Sequence, residues 1–258
     1  MHIRTILAAS AAVIISAASA QAAEVAALTG DNTISIVDTS KKAVTKTWKI
    51  EGVAGKVVGI DVRPADGLLY GLVDDGTVVT IAADGKATMK SRLDTMLAKG
   101  VAATVDFNPV ADRLRVMGAD GMNLRANVDD GKVTKDGDHK YAESDMHKGE
   151  KPNIVAGAYT NSVKGAKETA LFNIDATIGG LIKQAPPNDG VLGAIGKLGI
   201  KADDAAFDIW SDGAGKNEAW LMAGGTLYSV DLATGKATEA AKITGVTGTV
   251  KDIAIMGM

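Results

Sequence analysis

The feature that most constrains this chain is a short apolar strand that recurs and carries an aspartate near its end. It appears as Val57 to Arg63 (VVGIDVR), Ala103 to Asn108 (ATVDFN), Ala205 to Trp210 (AAFDIW) and Val250 to Ile255 (VKDIAI), with acids Asp61, Asp106, Asp208 and Asp252. The spacings between those acids are 45, 102 and 44 residues. A middle gap twice the others calls for a divergent copy near residue 157, and Ile154 to Asn161 (IVAGAYTN) supplies it, with Ala158 where the acid would stand. Five units of about 48 residues fall in the range of about 40 to 50 that propeller blades occupy.

Each unit continues with hairpin chemistry. After VVGIDVR come GLLYGLV, the turn Asp74-Asp75-Gly76, TVVTI and the turn Asp84-Gly85. Asp-Gly between β-branched runs is a strong short-range hairpin signal. The third unit repeats the pattern around Asp120-Gly121 and Asp130-Gly131, the fifth around Gly224-Gly225 and Thr234-Gly235. Only Ser91 to Lys99 (SRLDTMLAK) shows helical periodicity, so a helix is expected there. Thr33 to Asp38 matches Thr226 to Asp231, the third strand of a unit, so the mature chain starts at a second strand. Its missing first strand is the orphan Val250 to Ile255. A closed ring in which the last strand completes the first blade removes the sheet edges that invite aggregation. The expectation is an all-β, five-bladed β-propeller closed by the C-terminal strand, a single domain over residues 23–258; a β-sandwich with irregular repeats is the competing architecture.

Residues 1–22 carry export signals. A short basic start is followed by an apolar, small-residue run from Thr5 to Ala20 and then by Ala20-Gln21-Ala22, the small-x-small pattern that precedes signal-peptidase cleavage. A mature start near Ala23 is expected, with an uncleaved N-terminal anchor as the alternative. Cleavage would remove Arg4 and no acid, taking the formal charge from −3 to −4. No later stretch approaches the roughly 18 apolar residues of a membrane helix. The chain has no cysteine, which excludes disulfides, thiolate metal sites and a lipidated cysteine. A periplasmic or secreted protein of a Gram-negative-type bacterium, monomeric and without a membrane span, is the reading. The absence of a basic block argues against nucleic acid as a partner.

Several runs resemble the family called domain of unknown function 4394: Gly59 to Leu72 (GIDVRPADGLLYGL), Val105 to Val116 (VDFNPVADRLRV), Asn123-Leu124-Arg125, Ala158 to Asn161 (AYTN) and Pro186 to Gly190 (PPNDG). The resemblance covers nearly all of the mature chain. It implies an exported, repeat-built β protein, and it brings no catalytic residues with it.

Catalytic motifs are missing from the sequence. It contains no G-x-S-x-G, no P-loop, no H-E-x-x-H and no G-x-G-x-x-G after a strand. Three candidate sites remain. The innermost strands of a propeller line its channel, so Asp61, Asp106, Asp208 and Asp252 should converge. They would either share a hard cation such as Ca²⁺ or accept backbone N–H bonds locally and point away from the axis. The loop Asp136 to His147 holds His139 and His147 among carboxylates, although its spacing fits no zinc pattern and Lys135, Lys140 and Lys148 compete for the acids. Arg113 and Arg115 alternate on one strand, and Arg125 on the next could join them to hold a carboxylate or phosphate, or to form inter-blade ion pairs with acids such as Asp112 or Asp106. The Asp-Gly turns complete no calcium-loop pattern and read as turns.

Two functions follow. The first is a non-catalytic scaffold that binds a small ligand, a glycan or a protein at one mouth of the ring. The second is glycoside hydrolysis by carboxylates in the channel, for which carboxyl separations of roughly 5 to 10 Å across an open channel would be needed. Ten aromatic residues in all leave few sugar platforms.

Overall fold

The structure, a computed structural model, describes residues 23–257. The N-terminal segment expected to direct export therefore lies outside the described residues. The chain begins with β1 (Glu24–Thr29), β2 (Thr33–Asp38) and β3 (Ala43–Lys49). The second blade is β4 (Val57–Val62), β5 (Leu69–Val73), β6 (Thr77–Ile81) and β7 (Ala87–Arg92); the third is β8 (Ala103–Asn108), β9 (Arg113–Gly118), β10 (Asn123–Ala126) and β11 (Val133–Lys135). After the short β12 (Lys140–Tyr141), the fourth blade is β13 (Ile154–Tyr159), β14 (Leu171–Asp175), β15 (Gly180–Gln184) and β16 (Val191–Lys197). The fifth is β17 (Ala206–Ser211), β18 (Asn217–Ala223), β19 (Thr226–Val230) and β20 (Ala237–Lys242), and β21 (Val250–Gly257) ends the chain.

Each blade is an antiparallel sheet, and β21 pairs with β1 to complete the first, Val25 facing Ile255 and Leu28 facing Asp252. The innermost strands contact one another in a closed cycle, β21 to β4 to β8 to β13 to β17 and back to β21. This is the expected five-bladed propeller with terminal-strand closure. The fourth blade is wider because β12 joins the outer side of β16 in parallel, strapping the loop after blade three onto blade four.

Strand alternation builds the core. Along β1, Val25 and Ala27 turn toward blade five while Ala26 and Leu28 turn toward blade two, and all four are buried. A strand covered on both faces needs apolar residues at every position, which explains the unbroken VAAL run. One apolar cluster fills each of the five seams between neighbouring blades. The seam between blades three and four is the poorest in apolar residues, since blade three adds only Met117 to it.

The Asp-Gly pairs are turns. Asp75, Asp84, Asp120 and Asp130 each accept the N–H two residues on, at 2.9 to 3.1 Å, and Gly76 and Gly85 adopt the left-handed φ of +86° and +89° that the turn requires. The helix expected over Ser91 to Lys99 does not form. Residues through Arg92 pair with β6 as the edge of blade two, and the rest is an irregular loop. Its periodic apolar residues are explained by burial of Leu93 and Leu97 against the seam between blades two and three, so tertiary packing overrides local periodicity.

Candidate functional site at the channel

The four repeated acids lie on the innermost strands, and three of them, Asp61, Asp106 and Asp208, meet in the channel, whereas Asp252 is not part of that group. Asp61, Asp106, Asp208 and Asp252 are all buried, and carboxylate oxygens of Asp61, Asp106 and Asp208 lie within 4.8 Å of one another. Those three converge instead of pointing away from the axis, yet each of the four also accepts backbone N–H bonds. Asp252 takes Ile253 N–H and, from blade two, Ile60 N–H, both at 3.0 Å. Asp61 takes Val62 N–H and, from blade three, Phe107 N–H, both at 2.6 Å. Asp208 takes Ile209 N–H at 2.6 Å and Ile255 N–H of blade one at 2.7 Å. Asp106 takes Tyr159 N–H of blade four at 3.0 Å. Every acid is thus a staple from its own blade to the next one round the ring. The innermost strand has no neighbour on its channel side, so its N–H groups there need acceptors, and an aspartate on the adjacent strand is short enough to supply one.

Ala158 breaks the series, and the seam from blade four to blade five is closed by other groups. Asn217 Oδ1 accepts Asn161 N–H at 2.7 Å, Asn217 donates back to Asn161 Oδ1 at 3.0 Å, and Ser211 Oγ accepts Ser162 N–H at 3.0 Å. Burial pushes the Asp61, Asp106 and Asp252 carboxyls well above the usual carboxylate range, with further upward pressure from the neighbouring acids, and burial raises Asp208 to about 6.

The arginines divide. Asp136, just past β11, accepts Arg115 Nη1 and Arg125 Nε, each at 2.6 Å. Arg115 is 1% exposed and also reaches Tyr159 Oη at 3.0 Å, Asn123 at 2.8 Å and Asn188 at 2.9 Å. This polar cluster occupies the seam where apolar residues are few, a partner set that spacing could not reveal because Asp136 lies in a loop. Arg113 stands apart, its guanidinium on the carbonyls of Ala111 and Asp112. Arg125 would still hold Asp136, but Arg115→Ala empties a fully buried site and leaves Tyr159 Oη, Asn123 Oδ1 and Asn188 Oδ1 without their donor, so it is expected to cost about 3 to 5 kcal/mol. Arg113 is half-buried and bonded only to local carbonyls, so Arg113→Ala should cost no more than about 1 kcal/mol. Urea unfolding of the two variants checks both values, and equal losses would contradict the division.

Sequence reading missed a second clamp. Arg63 is 6% exposed and binds Asp112 through Nε and Nη2 at 2.8 and 2.6 Å, Asp129 at 2.9 Å and Tyr70 Oη at 3.1 Å, joining blades two and three. Arg63 and Lys90 hold the Asp129 carboxyl down at about 2. The two histidines do not come together as ligands. His139 is buried with no hydrogen bond to either ring nitrogen, and burial lowers it to about 4, whereas His147 Nδ1 lies 3.1 Å from Glu150.

At the end where the inner strands begin, the channel opens into a cavity of about 370 Å³. All five blades reach it, through Val58, Ala103, Val155, Ala205 and Val250. The loop after β7 walls one side with Met96, Leu97 and Val101. The acids Asp61, Asp106 and Asp208 stand three residues further along the same strands, roughly 10 Å deeper at the usual strand rise. The site is therefore an aliphatic-walled mouth over a carboxyl floor. Mouth residues carried no signal in the sequence, apart from Met96 and Leu97, which fell in the misleading helical period.

The chain is similar to solved structures at low sequence identity. A protein of unknown function from Bacteroides caccae aligns at 12% identity with a TM-score of 0.43, covering 91% of this chain and 99% of that one. A structural genomics protein of unknown function from Bacteroides thetaiotaomicron aligns at 14% identity with a TM-score of 0.50, covering 84% of this chain and 55% of that one. No curated protein matches the sequence. No helix among the described residues is long and apolar enough to cross a membrane. With the repeated Asp strands, the closed ring and a family model matching residues 33–254, the chain belongs to the family described as Domain of unknown function (DUF4394).

Proposed function

We propose that this protein is an exported, non-catalytic propeller, acting as a monomer, that binds a small ligand in the channel mouth. The observation that carries this reading is the cavity of about 370 Å³ to which every blade contributes. That volume lies within the roughly 300 to 1,000 Å³ of small-molecule sites. Its walls favour a compact apolar body over a glycan, because sugars are commonly held on aromatic faces and the lining here is aliphatic. Export rests on residues 1–22 and the cleavage pattern ending at Ala22. Glycoside hydrolysis receives no support from the acids, which are buried and bonded to backbone N–H groups, where the reaction needs carboxyls facing an open channel.

A second reading concerns the floor. Three carboxylate oxygens within 4.8 Å of one another match the spread of a Ca²⁺ shell, whose oxygens stand about 2.3 to 2.6 Å from the ion, so Asp61, Asp106 and Asp208 would be its ligands. Against it, these acids already accept N–H bonds from the backbone.

One set of measurements tests both readings. Native mass spectrometry of the purified mature protein should show a retained small organic molecule in the wild type and none in Val155→Trp, which fills the mouth. Retention by the filled variant would contradict the mouth assignment. In a thermal scan, a ligand that binds only the folded state raises the midpoint by mass action. A fall in Tm with EDTA that Ca²⁺ reverses would establish the cation, and an unchanged Tm would leave the acids as staples alone.

A further inference from the structure

We propose that the mouth selects an organic cation, an aliphatic amine or ammonium compound, over neutral or anionic molecules of the same shape; this rests on the mouth being the binding site. The cavity lining carries charges of both signs. Three carboxylates line it, Asp74, Asp203 and Asp204, and two lysines, Lys56 and Lys251. Lys56 Nζ is drawn outward to Asp31 at 3.4 Å, and Asp74 accepts Lys56 N–H at 3.0 Å. Asp203 and Asp204 are exposed, adjacent, and without a hydrogen bond or ion pair among the described residues, so Lys251 is the one unengaged cation set against two free carboxylates.

The floor adds to the same sign. Below the mouth stand the carboxyls of Asp61, Asp106, Asp208 and Asp252, each raised by burial, three of them also by a neighbouring acid. Any fraction of them that ionises repels an entering anion and attracts a cation, and the apolar walls of the channel keep that field from being screened as it would be in open water. An ammonium group facing the Asp203–Asp204 pair, with its alkyl body against Val58, Val155 and Val101, satisfies both the charge and the aliphatic surface. A carboxylate ligand would have only Lys251 to pair with, and would leave Asp203 and Asp204 facing it.

Isothermal titration of the mature protein with hexylamine, hexanol and hexanoate at pH 7 and low salt separates the cases. The expected result is that hexylammonium binds at least about tenfold tighter than hexanoate, a difference of about 1.4 kcal/mol. The preference should shrink with added salt, because the rim pair is exposed. In the double variant Asp203→Asn/Asp204→Asn the preference should fall to about threefold or less while hexanol binding is unchanged. Equal binding of the three probes, or tighter binding of hexanoate, would overturn the charge selection and leave the mouth as a site. An ammonium preference that survives the double variant would overturn the role of Asp203 and Asp204. If no probe binds, or all bind equally to Val155→Trp, the mouth reading fails and the selection falls with it.

Discussion

Removing β21 (deletion of residues 250–258) is expected to abolish cooperative folding. The strand buries Val250, Ile253, Ala254 and Ile255 in the seams on both sides of blade one. Three large aliphatic side chains at roughly 1.5 to 3 kcal/mol each already approach the 5 to 15 kcal/mol by which typical domains are stable. The deletion also takes Asp252 and its staple to Ile60, and it removes Ile255 N–H, the group that Asp208 holds. The backbone edge of β1 is left open along its whole length, which invites association between chains. The expected outcome is a protein that loses its thermal transition or aggregates at low temperature. The geometry also supplies a rescue. Because β21 runs antiparallel to β1 and Gly257 stands opposite Glu24, residues 250–257 moved in front of Glu24 through a short turn should restore the blade as an ordinary hairpin. A truncated chain that stays monomeric with an unchanged Tm, or a permuted chain that fails to regain a cooperative transition, would overturn the account of closure.

The ring was legible because its signal is repetitive. An apolar strand with an aspartate at a fixed position, Asp-Gly turns at matching offsets and a first unit that starts one strand late can each be aligned by eye, and together they leave few architectures. What made the acids recur was also physical: each blade presents the same unpaired N–H edge to the channel, so the same residue solves the same problem in four blades. The exceptions were the places where one blade differs from the rest. Asp136 and Asn188 complete the Arg115 cluster from loops, Asp112 and Asp129 reach Arg63 across a seam, and no spacing rule connects such residues before the fold places them. The Ser91 to Lys99 stretch misled for a related reason. Leu93 and Leu97 are buried by a neighbouring blade, and a loop that tucks two apolar side chains inward imitates a helical stripe over one turn. The mouth was invisible as a site because its side chains are ordinary aliphatics whose function lies only in their meeting.

In the presence of chelator, thermal stability should be greatest at mildly acidic pH and fall as the pH rises toward 8. The four channel acids have folded pKa values above the unfolded value, so the folded state binds more protons than the unfolded chain between those limits. Their contribution is complete below about pH 4 and is lost as the pH climbs through the folded values, near 6 for Asp208, with the other three likewise raised by burial. A rise from 3.8 to about 6 corresponds to on the order of 3 kcal/mol for that one group. Clamped surface acids act in the opposite sense: Asp129, held at about 2, adds stability that disappears only at strongly acidic pH. The maximum therefore falls between roughly pH 4 and 6. Two substitutions separate the proton from the staple. Asp106 takes a single N–H, from Tyr159, so an amide in its place keeps that bond and needs no proton to stay neutral when buried. Asp106→Asn should raise Tm at pH 8 and flatten the pH profile. Asp61 uses both oxygens, for Val62 and Phe107, and an amide there turns an NH₂ toward one of those donors. Asp61→Asn should cost about 1 to 3 kcal/mol even at pH 5, the usual penalty for a buried donor left without an acceptor. A Tm that stays level from pH 4 to 8, or an Asp106→Asn variant that melts earlier than the wild type at pH 8, would show that the carboxyl floor is ionised in the folded ring and that its staples draw their strength from charge.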